Sequence, residues 1–278
     1  MLWLEEVLAG DDVGGNVAAL KLDLAPFGLA EAVALFGGAE PPPSTAGRCL
    51  ELGDVEDADL FLNLAYDIPP DVVGRFRRTA LVDIDPGLTQ WWIQGGGLSL
   101  APHDVYFTTG ETVGKPGSRI PSVGLRWEYV PPCVAVGWWP MQPPPPHTAP
   151  FTTVAHWYDG WEQLDGKEFT NGKRSGFLPY LDLPARALYP LELALDLKDD
   201  DEDHQLLIHK GWRVRDASSI ASTSGDYQRY VQSSLGEFSC VKPSCVDFQN
   251  AWISDRTLCY ISSGKPAVVQ HTGPSAFL

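Results

Sequence analysis

The stretch WISDRTLCYISSGKPAVVQHTG, residues 252–273, packs a helix start, a turn and a strand into 22 positions. It opens on a polar patch of the kind that starts a helix. A mostly apolar helix follows as far as Gly264, which reads as its end. Ala267, Val268 and Val269 then form a short apolar run of the buried-strand kind. The preceding segment, EFSCVKPS, reads as a strand that ends near Lys242, with the helix beginning between Asn250 and Ser254. A helix amino-terminus presents unsatisfied N–H groups and the positive end of the helix dipole, so it attracts phosphate. Lys242 and Arg256 add positive charge there, and His271, Thr272 and Gly273 lie at the carboxyl end of the returning strand. The same pattern also fits an ordinary helix–turn–strand unit of a doubly wound domain.

Outward from this stretch the alternation of strand and helix continues. FTTVAHW, PLELALDL, WRVRD, EFSCVK and PAVVQ read as short strands, with GDYQRYVQSSL and NAWISDRTLCYISS as helices between them. Nearer the amino-terminus, DLFLNLAY, TALVDID and DVYFTTG are strands, and Pro86 opens a helix over PGLTQWWIQ. Strands alternating with helices imply parallel sheets in both halves, with ligands at the carboxyl ends of the strands. The proline-rich WWPMQPPPPHTAP, residues 138–150, forbids helix and central strand and reads as a linker between domains. A second proline run, EPPPS at 40–44, reads as a loop. The acidic run KDDDEDH at 198–204 reads as a solvated loop that caps the next helix.

With 278 residues, 44% of them apolar, and 10 tryptophans, the chain can bury two ordinary cores and is not of the disordered class. No apolar run is long enough to span a bilayer, and LWLEEVLAGDD lacks the basic start of a secretory signal. The net charge of −16 repels phosphate backbones, which argues against nucleic-acid binding. The 5 cysteines are scattered without metal or disulfide spacing, which fits a reduced, cytoplasmic protein.

Several catalytic motifs are absent. GETVGKP at 110–116 has its glycines one residue too close for a phosphate loop, and Pro116 stands where Ser or Thr is required. His204 and His209 do not share a helix face, and no metal site is expected. Polar groups at strand ends remain. Asp83 and Asp85 share one side of a strand, as an Asp-x-Asp metal pair would, or as a cap for the helix at Pro86. Glu111 follows the next strand at an equivalent rim position, and His156, Trp157 and Tyr158 end another as rim packing or as site residues.

SGKPAVVQHTG resembles the turn that follows the donor-facing helix in GT-B-fold glycosyltransferases. VDIDPGLTQ, FTTGETVGKPG, KRSGFLPYLDLP, KGWRVRD and YQRYVQSSLGEFSCVK precede it in an order similar to that of a group of bacterial glycosyltransferase-like proteins. The resemblance runs from about residue 55 to the end. It implies an α/β chain of two Rossmann-like domains of GT-B type facing across a cleft. Residues 1–137 would be the acceptor side, 138–150 the linker and 151–278 the donor domain, both domains being shortened. The implied activity moves a sugar from a nucleoside diphosphate sugar to an acceptor hydroxyl, without metal or other cofactor. Donor and phosphate contacts would fall to Lys173, Lys242, Asn250, Ser254, Arg256, His271, Thr272 and Gly273, with Asp85 and then Glu111 as the base. A sugar-nucleotide epimerase on the same architecture is one alternative. A non-catalytic nucleotide- or sugar-binding protein is another, since Ala251 and Cys259 stand where the family's donor helix carries glutamates.

Overall fold

Leu191–Leu195, LELAL, is buried at every position, as a strand covered on both faces must be. It lies in a five-stranded parallel sheet. The computed structural model containing it describes residues 1–8, 12–37, 49–164 and 167–276. The expected proline loop at 40–44 lies outside the described residues. The chain divides into two compact units, Met1–Ala80 with Leu100–Asp104, and Leu81–Ser99 with Val105–Leu278. The fold is α/β, and its larger sheets, of three, four and five strands, are parallel. Among the described residues no helix is long and apolar enough to cross a membrane.

The first unit opens with strand β1 (Trp3–Val7), helix α1 (Val13–Leu24) and strands β2 (Val33–Gly37) and β3 (Leu50–Glu51). These strands form a parallel sheet in the order β1-β2-β3. The Asp12 carboxylate accepts from the Gly15 N–H at 3.1 Å and so caps α1. Val7, Val13 and Val17 pack on one another. Ala34 and Val55 pack with Val72 and Phe76 from the region of α2 (Leu52–Val55) and α3 (Pro70–Val73). Strand β4 (Phe61–Asn63) lies between those two helices in the chain.

The four-stranded sheet has the order β4-β5-β6-β7, with β5 at Thr79–Asp83, β6 at Val105–Thr108 and β7 at Trp127–Tyr129. Helix α4 (Leu88–Gln94) follows β5, as Pro86 implies, though its first residue is two positions later.

The second unit carries the five-stranded sheet, in the order β12-β11-β8-β13-β14. Its strands are β8 (Phe151–Ala155), β11 (Leu191–Leu195), β12 (Arg213–Asp216), β13 (Gly236–Ser239) and β14 (Ala267–Val269). Counted along the chain this is the doubly wound order 3-2-1-4-5, which reverses between β8 and β13. Trp157, Phe177, Leu193, Leu207 and Trp212 belong to one core cluster of this unit. Ala194, Ile220 and Tyr230 form another, in which α7 (Ala217–Ile220) and α8 (Ser224–Ser233) take part. Asp201, in the acidic run, accepts from the Asp203 N–H at 2.8 Å and caps α6 (Glu202–His209). An antiparallel hairpin of β9 (Trp161–Leu164) and β10 (Lys167–Thr170) leads to the short helix α5 (Arg174–Phe177). Nothing in the strand–helix alternation of the sequence marks that hairpin.

The stretch after β13 differs from expectation in one respect. A helix, α9 (Pro243–Phe248), begins immediately after Lys242, because Pro243 suits the first helical turn. The expected helix, α10 (Asp255–Ser262), follows it. Ser254 caps α10 by accepting from the Arg256 N–H at 3.3 Å. At its other end Gly264, at φ +76°, donates to Ile261, and Lys265 donates to Tyr260 at 2.9 Å, which makes a Schellman stop.

The proline-rich residues 138–150 run along this helix end inside the second unit. The Ser262 hydroxyl donates to the Trp139 carbonyl at 2.7 Å, Gln142 N–H to Ser263 at 3.0 Å, and Lys265 Nζ to Pro143 at 3.3 Å. Residues 81–137 also meet the carboxyl-terminal segment directly. Thr112 donates to the Gln249 carbonyl at 3.0 Å, Arg119 to Asp247 at 3.0 Å, and Trp91 stacks on Phe248.

Candidate functional site

A pocket of about 270 Å³ opens where β13 and β14 end and α10 begins. Ser239 and Val269 reach it from the strands, Ser254, Arg256 and Thr257 from the helix start, and His271, Thr272, Gly273 and Ser275 from the loop beyond β14. The structure therefore gathers five of the expected donor-binding residues, Ser254, Arg256, His271, Thr272 and Gly273, around one cavity. Thr272 is held by its hydroxyl, which donates to the Trp252 carbonyl at 2.8 Å, and by its own carbonyl, which accepts from Ala251. Gly273 adopts φ +134°, and a Cβ there would lie 2.6 Å from the Gln249 carbonyl oxygen. Only glycine allows that approach.

Arg256 lines the pocket, but its guanidinium is committed to the fold. Its guanidinium donates to Glu237 at 2.8 Å, to the Val154 carbonyl at 2.9 Å and to the Ser239 hydroxyl at 2.8 Å. Burial alone would lower its pKa, and Glu237 more than offsets that. Arg256 thus pins the start of α10 to β8 and β13. Asn250, fully buried, donates to the Pro86 carbonyl at 2.9 Å and accepts from Trp252 at 3.1 Å. It ties the end of β5 to the entrance of α10. Gln249 and Ala251 on either side adopt left-handed φ values of 50° and 52°. Non-glycine residues hold that conformation only where surrounding contacts compel it.

Lys242 and Asp85 belong to a second group of charges. The Lys242 ammonium pairs with Asp159 at 2.8 Å, and its charge also acts on Asp85. Burial raises the Asp85 pKa; Lys242 opposes the rise, while Asp83 and Asp159 add to it. Burial likewise pushes Asp159 up, but the hydrogen bond from Lys242 and the N–H of Gly160 outweigh it and leave the carboxyl below its ordinary value. Asp83 is fully buried and engaged. It accepts from Thr89 at 2.7 Å, Gln90 at 2.7 Å and Thr108 at 2.8 Å, so the Asp-x-Asp pair is not an open metal clamp. Among the described residues no group of three or more His, Cys, Asp or Glu side chains could hold a metal ion.

Glu111 is also committed. Its carboxylate accepts from the Ser275 hydroxyl at 2.6 Å, the Ala276 N–H at 2.9 Å and Lys115 at 3.2 Å. It fastens the loop that lines the pocket. Burial pushes its pKa up, but Ser275, Ala276 and Lys115 outweigh this and hold it below 4.5. A lowered folded-state pKa contributes stability that is present above about pH 4.5 and lost as pH falls through the folded value. Glu111→Gln is therefore expected to flatten the acid-side loss of stability. Urea midpoints at pH 6 and pH 3.5 that change equally in variant and wild type would refute this.

No protein-family model matches the chain, and no curated protein matches it in sequence.

A second cavity, of about 360 Å³, is lined by Trp157, Tyr158, Asp159, Arg174, Glu202 and Asp203. Asp203 accepts from Trp157 at 2.8 Å and pairs with Arg174. Tyr158, desolvated and donating to Asp203, has its pKa raised to about 12. Sequence reading passed over Asp159, Trp252, Thr257 and Ser275. Asp159 follows the quoted strand FTTVAHW by two residues, the one signal that could have found it. The other three take their positions from the closing of the loop.

Proposed function

We propose that the chain is a glycosyltransferase of GT-B type that binds a nucleoside diphosphate sugar in the α10 pocket. The observation that carries this reading is the pocket's position, at a helix start and beyond the carboxyl ends of β13 and β14, the edge of a doubly wound sheet on which ligands bind. The Thr257 hydroxyl and the exposed His271 in its lining suit a diphosphate, and Trp252 lines the same cavity. In transfer the acceptor oxygen gives its proton to a base as it attacks the anomeric carbon, and the bond from that carbon to the diphosphate oxygen breaks. Asp85 is the base in this reading. Its raised pKa favours proton uptake, and its neighbour Pro86 is tied to Asn250 at the pocket's edge. The free thiols fit a cytoplasmic setting.

One observation favours a non-catalytic nucleotide-binding protein instead. Arg256 and Glu111, two of the charged candidates, have their polar atoms satisfied inside the fold. Thermal shift with UDP, GDP, dTDP and their sugars tests both readings. At 100 times its Kd a ligand stabilises by about 2.7 kcal/mol, a shift of several degrees. No shift with any of them would overturn both readings. A shift without release of nucleoside diphosphate across a panel of acceptors would leave the binding protein.

A further inference from the structure

Lys173 sits where the five-stranded sheet reverses its order. The Arg174 N–H, next along the chain, donates to the Trp157 carbonyl at 3.1 Å, just beyond β8. The Asn171 side chain accepts from the Ser244 N–H at 3.2 Å, at the start of α9 beyond β13. Residues 171–174 thus bridge the two strands that flank the switch point, the place where open α/β sheets bind ligands. The Lys173 side chain is only 8% exposed.

Four other lysines of the second unit have partners for their side chains. Lys115 pairs with Glu111, Lys210 with Asp182 and Lys242 with Asp159, while buried Lys265 donates to Pro143. Among the described residues the Lys173 side chain makes no hydrogen bond or ion pair, while its backbone carbonyl accepts from Gly176 and Phe177. The sealed polar atoms without a partner are Trp91 Nε1, His204 Nδ1, Glu237 Oε2 and Ser263 Oγ. The Lys173 nitrogen is not among them and so keeps an opening to solvent. Arg256 faces it from α10, Glu237 from β13, Cys240 from the end of β13 and Cys245 from α9. The acid among these, Glu237, is already bonded to Arg256.

We propose that Lys173 is a nucleophilic amine that condenses with a small aldehyde or ketone to form an imine at the switch point. Burial pulls its pKa down and Arg256 adds to the effect, against Glu237 and the two thiols, leaving it at about 7. A desolvated lysine beside another cation is the usual form of an activated amine. In the reaction the nitrogen lone pair adds to the carbonyl carbon, and the C=O π pair moves to oxygen. A proton passes from nitrogen to that oxygen. The carbinolamine then expels water as the C=N bond forms, so amine and carbonyl give imine and water with no oxidant or reductant.

The test uses the full chain with glyceraldehyde and borohydride trapping, without nucleotide, so its outcome is independent of the transferase reading. Peptide mass spectrometry of the wild-type protein at pH 7.5 is expected to find the Lys173 adduct forming at least tenfold faster than that on exposed Lys198. The rate at Lys173 should level off above about pH 7. Lys173→Arg, with its folding checked by melting, should lose the fast phase. A Lys173 adduct that forms no faster than the Lys198 adduct, or a fast phase that persists in the variant, would overturn the proposal.

Discussion

Asp83→Ala is expected to lower the stability of the chain by about 4 kcal/mol, a fall in Tm on the order of 10 °C. The carboxylate is fully buried at the end of β5. It accepts from the Thr89, Gln90 and Thr108 side chains and, at 3.1 Å, from the Asp85 N–H. Alanine would leave those donors facing an empty volume, and each buried unsatisfied group costs about 1–3 kcal/mol. Asp83→Asn separates the acceptor role from the space filled. It keeps the volume but turns one acceptor into a donor, and Gln90 Nε2 then faces another N–H. The threonine hydroxyls can rotate; the amide cannot reverse its role without disturbing Gly87, whose N–H donates to Gln90 Oε1 at 2.7 Å. An intermediate loss is expected for Asn. Equal, small losses in both variants by urea unfolding would show that the network carries little of the fold's stability.

The second large effect concerns Arg256. Arg256→Met removes the ion-pair partner of Glu237, whose side chain is fully buried and whose Oε2 already lacks a hydrogen bond. Breaking a buried pair from one side typically costs about 3–5 kcal/mol. The double variant Arg256→Met, Glu237→Leu removes both charges, and its stability is expected to return to within about 1 kcal/mol of wild type. If the single variant instead kept its stability and lost only affinity for phosphate ligands, Arg256 would be a ligand group and not an internal brace.

These two residues also mark how far the sequence could be read. The unit from Ser254 to Val269 was legible because a polar helix-starting patch, a stop glycine and an apolar run each have a local physical meaning. The parallel α/β class followed from the same kind of pattern. What a rim charge does is not local. Arg256 meets Glu237 from 19 positions away, and Glu111 meets Ser275 from 164 away. Both look like free functional groups in the sequence, because their partners are supplied by the returning chain. Lys173 is the opposite case, a lysine within a polar run that the fold buries and leaves unmatched. Strand β1 was missed since its burial is partial, so LWLEEV lacks the apolar run of a central strand. Helix α9 falls in the gap between the strand expected to end near Lys242 and the helix expected from Asn250 to Ser254, a stretch too short to show a helical period.

The proline-rich run fixed to the end of α10 sets an order on the making of the chain. Trp139 leaves the ribosome 123 residues before the Ser262 that secures it, and Pro143 emerges 122 before Lys265. At the usual 5–20 residues per second, that is roughly 6–24 s of waiting. During that interval the Trp139 and Pro143 carbonyls are without those donors. Consecutive prolines suit such a delay, because a stiff extended segment has few alternative conformations to explore and little freedom to lose on docking. On this schedule Trp139 to Pro143 would be among the last parts of the second unit to gain protection from proteolysis, although they stand near the middle of the sequence.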